Sequence, residues 1–114
     1  MIHDMKLDPQ PFEMIKSGRK TIELRLYDEK RQKVNEGDII RFACTEDENE
    51  VIEVKVLKLH KFRDFAELYE KLPLLKCGYT EFDIDRADAK DMESYYSLQR
   101  QKKYGVVGIE ILKI

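Results

Sequence analysis

Lys20, Glu23 and Arg25 fall within the six residues Lys20-Thr21-Ile22-Glu23-Leu24-Arg25. An ammonium and a guanidinium donate to phosphate or carbonyl oxygens, and a carboxylate accepts from an amino group. Together the three could grip an anion, a carbonyl or a base edge. In an extended strand, side chains alternate faces, so Glu23 and Arg25 share one face with Thr21 while Ile22, Leu24 and Leu26 take the other. One face is built for a core. Spacing alone favours a plainer reading of the other, in which Glu23 and Arg25 neutralise each other on a solvated sheet face. Lys20 sits where the strand emerges and can lean over either face.

The elements that position this stretch begin upstream. His3 to Leu7 reads as a first strand with Met5 and Leu7 on its apolar side. Asp8-Pro9 is a helix start, since aspartate caps and proline suits the first helical position. Phe12 and Ile15 give that helix a core face. Lys16 lies near its C-terminus, where a cation is favoured, and Gly18 suits the turn that ends it. The backbone then passes directly into the charged strand.

Downstream, Asp28 to Lys33 reads as a solvated loop, with a basic rim of Lys30, Arg31 and Lys33 beside Arg25 as the functional alternative. Glu36-Gly37-Asp38 is a turn signal ahead of a strand at Ile39–Ala43. Thr45 to Glu50 is an acidic hairpin loop, and Val51–Leu59 alternates as the next strand. Asp64-Phe65-Ala66-Glu67 has the pattern of a capping box, followed by apolar residues at helical spacing up to Pro73. Leu74 to Asp85 has no clear periodicity, and Cys77-Gly78-Tyr79 is a candidate lid. A third helix is expected over Ala87 to about Gln101, with Met92, Tyr95 and Tyr96 on one face; such a stripe is more often core than ligand platform. Val106–Leu112 is the final strand, in which Gly105 and Gly108 signal a bulge or close backbone approach.

Bulk properties narrow the function classes. The chain has 114 residues, 39% of them charged and 42% hydrophobic, which suits a single domain over 1–114 with a modest core. Its 21 lysines and arginines against 23 acids give a net charge of −2, which excludes a generally polybasic nucleic-acid coat but not a local basic cleft. No apolar run approaches a membrane span and the first residues lack a signal-peptide pattern, so a cytoplasmic protein without membrane contact is expected. Cys44, Cys77, His3 and His60 show no metal-ligand spacing, and no phosphate loop or dinucleotide fingerprint is present. No metal or cofactor is expected. Two strands joined by a hairpin loop argue against a long parallel β/α arrangement. The expected fold is α+β, mainly β: a curved antiparallel or mixed sheet with barrel character, flanked by short helices.

Pro11-Phe12-Glu13-Met14-Ile15-Lys16-Ser17-Gly18-Arg19-Lys20-Thr21-Ile22-Glu23-Leu24-Arg25, then Gly37-Asp38-Ile39-Ile40-Arg41-Phe42, then Tyr104-Gly105-Val106-Val107-Gly108-Ile109, resembles the ASCH domain family over nearly the whole chain. The resemblance implies a PUA-like β-barrel with a cleft between the first helix and the following strand, holding RNA or a nucleoside- or nucleotide-like ligand. It implies that Lys20 and Arg25 hold phosphate or a carbonyl, that Glu23 accepts from a base amino group, and that tyrosines such as Tyr96 stack on an unpaired base. Lys16 and Arg19 are expected to join them, with Lys30 or Arg31, in one positive cleft.

Some ASCH-like proteins are amidohydrolases that remove the acetyl group of N4-acetylcytidine. Their pattern has lysine at the position of Lys20, threonine where this chain has Glu23, and a later glutamate, for which Glu81 and Glu93 are the candidates. In such an enzyme Lys20 and Glu23 would be the catalytic pair. Three readings stand in order: a binding module for RNA or a nucleotide, a hydrolase of a modified nucleoside or of RNA, and a protein-interaction domain with a merely solvated charged strand.

Overall fold

Alternating apolar residues build five strands whose inward side chains form the core. In the computed structural model, which describes residues 1–114, β1 (Ile2–Leu7) buries His3, Met5 and Leu7 and exposes the residues between them. β4 (Val51–Phe62) does the same with Ile52, Val54 and Val56, and β3 (Ile39–Cys44) buries Ile40, Phe42 and Cys44 between half-buried residues. With β2 (Ile22–Leu26) and β5 (Val106–Lys113) they form one mixed sheet in the order β1-β3-β4-β5-β2. Only the β1–β3 pair is parallel. The sheet curls into a half-barrel whose two free edges are β1 and β2, as the expected α+β, PUA-like architecture requires.

The curl is helped by an irregularity in β4. Its register against β5 shifts between Val56 and Lys58, leaving Leu57 as an extra, half-exposed residue. A bulge of this kind increases local twist and changes which positions face inward. Inward positions therefore run Ile52, Val54, Val56 and then Leu59, which packs on the main core. Strict alternation would have turned Leu59 outward.

α1 (Pro9–Lys16) closes one mouth of the half-barrel with Phe12, Met14 and Ile15 buried. Asp8 occupies its N-cap position, but its side chain makes no cap bond and instead accepts from Thr45 Oγ1 at 3.0 Å. The helix stops at Gly18, whose φ of +83° reverses the chain into β2. α2 (Phe65–Lys71) is capped by Asp64, which accepts from the Glu67 main-chain nitrogen at 2.9 Å. Glu67 reaches Arg63 N instead of completing a reciprocal box.

The expected single helix over Ala87–Gln101 is two pieces. A 3-10 segment covers Ala89–Ser94, and α3 (Leu98–Tyr104) follows after a break. Ser97 causes the restart: its backbone is extended and its hydroxyl accepts from Arg100 N at 3.2 Å, a new N-cap in the middle of the expected helix. α2, the Leu74–Ser97 segment and α3 cover the outer face of β2 and β5, burying Ile22, Leu24, Leu26 and Val106 against Phe65, Leu68 and Cys77. Gly108 permits that approach, since a Cβ there would lie 2.6 Å from Leu72 Cδ1.

Candidate ligand-binding site

β2 has two buried faces, and this decides the meaning of its charges. Ile22, Leu24 and Leu26 face the layer of α2 and the segment after it. Glu23 and Arg25 lie opposite Ile109 and Val107 of β5, which belong to the main core, so they point to the concave side of the half-barrel. Glu23 is only 3% exposed and Lys20 9%. The solvated charged face expected from spacing alone is therefore not found; the curl of the sheet and the Leu74–Ser97 segment enclose it.

The three side chains form one ionic chain. Lys20 Nζ is 2.7 Å from Glu23 Oε1, and Arg25 Nε donates to Glu23 Oε2 at 2.7 Å. Arg25 Nη2 continues to the Lys6 main-chain carbonyl at 2.8 Å. Burial alone would raise the Glu23 carboxyl's pKa, but Lys20 and then Arg25 outweigh it, and the net shift is downward. Burial likewise disfavours the Arg25 cation, and Glu23 followed by Tyr96 more than offsets it. Glu23 is thus held as a carboxylate between two cations, leaving the trio one positive charge in excess.

This trio borders a cavity of about 440 Å³ between α1, β2 and the segment Cys77–Tyr96. Tyr69, Tyr79, Tyr95 and Tyr96 line it, together with Met14, Asp83 and Asp91. Tyr69, Tyr79 and Tyr96 are held in place. Tyr79 OH donates to Asp91 Oδ2 at 2.7 Å and stands 2.7 Å from Tyr69 OH. Burial, then the bonds to Tyr69 and Asp91, push the Tyr79 phenol far above its usual range, so it stays a donor. Tyr96 is backed by Phe65, ring centroids 6.0 Å apart and planes 20° from parallel. Its carbonyl accepts from Nε2 of the buried Gln101, whose Oε1 accepts from Phe65 N at 3.1 Å. Gln101 thereby ties the Tyr96 backbone to the start of α2. Gly78 lies directly against the Lys20 side chain.

Of the residues singled out from sequence, Lys20, Glu23, Arg25 and Tyr96 meet at this cavity. Lys16 and Arg19 lie outside its lining: Lys16 pairs with Glu50 at 2.8 Å, and Arg19 Nε donates to Ser17 Oγ at 3.1 Å. Glu81 and Glu93 are also outside it, and the carboxylates that do face it besides Glu23 are Asp8, Asp83 and Asp91. Tyr69 carried a signal as part of α2's apolar spacing. Tyr79 was marked only as part of a candidate lid, Asp83 lies on a stretch without periodicity, and Asp91 fell inside the expected third helix with nothing to mark it as a site residue. No three His, Cys, Asp or Glu side chains group as metal ligands. No helix is long and apolar enough to cross a membrane.

Comparison with known proteins agrees with this architecture. The ASCH domain model matches residues 5–114. The crystal structure of the hypothetical protein PH0355 is 38% identical, with all of both chains aligned and a TM-score of 0.82. The solution structure of PF0455 from Pyrococcus furiosus is 32% identical over all of this chain and 98% of that one, with a TM-score of 0.75. An S128A variant of the ASCH protein from Zymomonas mobilis shares the fold at 15% identity and a TM-score of 0.68, over 97% of this chain and 67% of that one. No curated protein matches the sequence. The chain belongs to the ASCH domain family.

Proposed function

We propose that this protein binds an unpaired base of RNA, or a free nucleoside or nucleotide, in the cavity beside β2. The observation that carries the reading is the buried Lys20–Glu23–Arg25 trio at the wall of a tyrosine-lined cavity. Its volume of about 440 Å³ falls within the usual range for small-molecule sites, which suits one nucleoside and not a length of duplex. Glu23 accepts from an exocyclic amino group, Lys20 and Arg25 donate to a base carbonyl or a phosphate, and Tyr96 offers a ring already braced by Phe65. Fixed, desolvated partners of this kind recognise a base edge at little reorganisation cost.

A second reading is hydrolysis of a modified nucleoside such as N4-acetylcytidine. It is favoured by one feature, a lysine at the wall of a cavity that also holds Asp83 and Asp91. It requires Lys20 to be released from Glu23 when substrate enters. Calorimetric titration with nucleosides, nucleotides and short single-stranded RNAs, with product analysis of the same mixtures, separates the two. Saturable binding without turnover, lost in Lys20→Met, supports recognition; deacetylation of N4-acetylcytidine supports the hydrolase. Absence of both removes the cavity from consideration as a nucleoside site.

A further inference from the structure

Arg25 also borders a second concavity, of about 630 Å³, which shares Lys6 with the tyrosine-lined cavity. Five cations line this groove, Lys6, Arg25, Lys30, Arg31 and Arg41, against the two carboxylates of Asp4 and Glu48. The chain as a whole carries −2. Lining cations therefore outnumber lining carboxylates here against the sign of the whole molecule, and a concave surface with an excess of one sign attracts the opposite charge more strongly than a flat one.

The existing partners of these cations leave donors to spare. Lys6 pairs with Glu48 at 2.6 Å, but both side chains are more than half exposed, and such a pair is readily exchanged for another anion. Lys30 Nζ uses one bond, at 2.6 Å, on the Asp4 carbonyl. Arg41 meets Glu53 at 3.2 Å and Asp4 at 3.9 Å on the open surface. Arg31 holds Asp28 through Nη1 at 3.3 Å, while its Nε is buried with no acceptor. A buried donor without an acceptor is costly and uncommon.

We infer that this groove carries the phosphate backbone of a single-stranded RNA whose unpaired base enters the tyrosine-lined cavity, with Arg25 at the point where base and backbone part. The inference rests on the proposed nucleoside reading and sharpens it: the preferred ligand is a strand, not a free nucleoside. Phosphate contacts add affinity without reading sequence, and each contact contributes to the salt dependence. A free nucleoside engages the cavity alone.

The test compares cytidine, uridine and a short single-stranded RNA on the wild type, on Lys30→Ala/Arg41→Ala and on Lys20→Met. Lys30→Glu serves as a second groove variant. Lys30 and Arg41 lie outside the cavity lining. The expected result is tighter binding of RNA than of nucleoside by the wild type. In the double variant, RNA affinity falls about tenfold or more, the slope of log affinity against log salt shrinks by about 1.4, and nucleoside affinity is unchanged. Unchanged RNA affinity and slope in both groove variants, with nucleosides still binding, overturn the groove and leave the cavity reading intact. RNA binding that depends on Lys30 and Arg41 but not on Lys20, with no nucleoside binding, supports the groove and overturns the cavity reading. No RNA binding by the wild type overturns the groove, and absence of nucleoside binding as well overturns the cavity reading.

Discussion

Arg25 on β2 donates through Nη2 to the main-chain carbonyl of Lys6 on β1, at 2.8 Å. These are the two free edges of the sheet, which stand at opposite ends of its strand order. The half-barrel is thus bridged there by a side chain, where a fully closed barrel would have a backbone ladder. The same guanidinium meets Glu23 through Nε, so the group that ties the edges together also forms the wall of the cavity. Architecture and site share one residue.

Arg25→Lys is expected to loosen this seam. An ammonium presents no planar fork and cannot hold Glu23 and the Lys6 carbonyl with Arg25's geometry. Loss of one charge-assisted bond should cost roughly 1.5–3 kcal/mol, read as a lower urea midpoint at unchanged slope. Hydrogen exchange should rise first at the amides of β1 and β2, the two edges it joins. A variant as stable as the wild type would show that the edges hold without the bridge.

Acid should destabilise the fold in a defined window. The Asp38 carboxyl accepts from His3 and from Asn35 N, and these bonds lower its pKa from 3.8 to about 2. Glu23 is shifted in the same direction by Lys20 and Arg25, against its burial. A carboxyl with a depressed folded-state pKa contributes stability above its unfolded value and loses it as pH falls through the folded one. Thermal midpoints should therefore be steady from neutrality to about pH 4.5 and fall from there toward pH 2. Asp38→Asn should flatten the lower part of that fall. Stability that rises on acidification would contradict both assignments.

Gly105 ends α3 at φ +74° and ψ −178°, a region that residues with a side chain rarely enter. A Cβ there would also lie 3.0 Å from the Phe62 carbonyl oxygen, which is backbone and cannot swing away. Gly105→Ala should cost about 1–3 kcal/mol. Chemical denaturation measures this directly, and a loss below about 0.5 kcal/mol would mean that the turn relaxes.

How far the sequence revealed this molecule follows from what each signal measures. Alternation along β2 assigned Ile22, Leu24 and Leu26 to one face correctly, because side-chain direction in a strand is a local property. Whether the opposite face met water was not local. It depended on the curl of the sheet and on a covering segment, Leu74–Ser97, whose first part has no periodicity to read and whose second part reads as a single helix that is not formed. Tyr79, Asp83 and Asp91 were not marked as ligand contacts because only the fold of that segment brings them to the cavity, whereas Lys20, Glu23 and Arg25 stood out through the residues around Gly18 that resemble the family. The split of the third helix was legible in principle: Ser97 is a good N-cap, but the apolar residues on either side of it still fit helical spacing.

The final prediction separates recognition from catalysis at Glu23. In the recognition reading, Glu23→Gln keeps an oxygen acceptor but loses the charge that holds Lys20 and Arg25, and Lys20→Met removes one donor. Each should weaken nucleoside binding by one to two decades, the equivalent of about 1.5–3 kcal/mol. Glu23→Ala is a poorer probe, because it strands two buried cations and should cost roughly 3–5 kcal/mol of stability by itself. In the hydrolase reading, Glu23→Thr installs the threonine that the resemblance to N4-acetylcytidine amidohydrolases implies and releases Lys20 from the carboxylate 2.7 Å away. Turnover of N4-acetylcytidine should then rise above that of the wild type and vanish when Lys20→Met is added. Folding of each variant is checked by the thermal midpoint before any rate is read. No turnover by wild type or Glu23→Thr, with nucleoside binding intact in the wild type and reduced in Glu23→Gln, assigns the trio to recognition. Binding that is indifferent to both Glu23→Gln and Lys20→Met would remove the trio from the site altogether and leave it as the seam of the barrel.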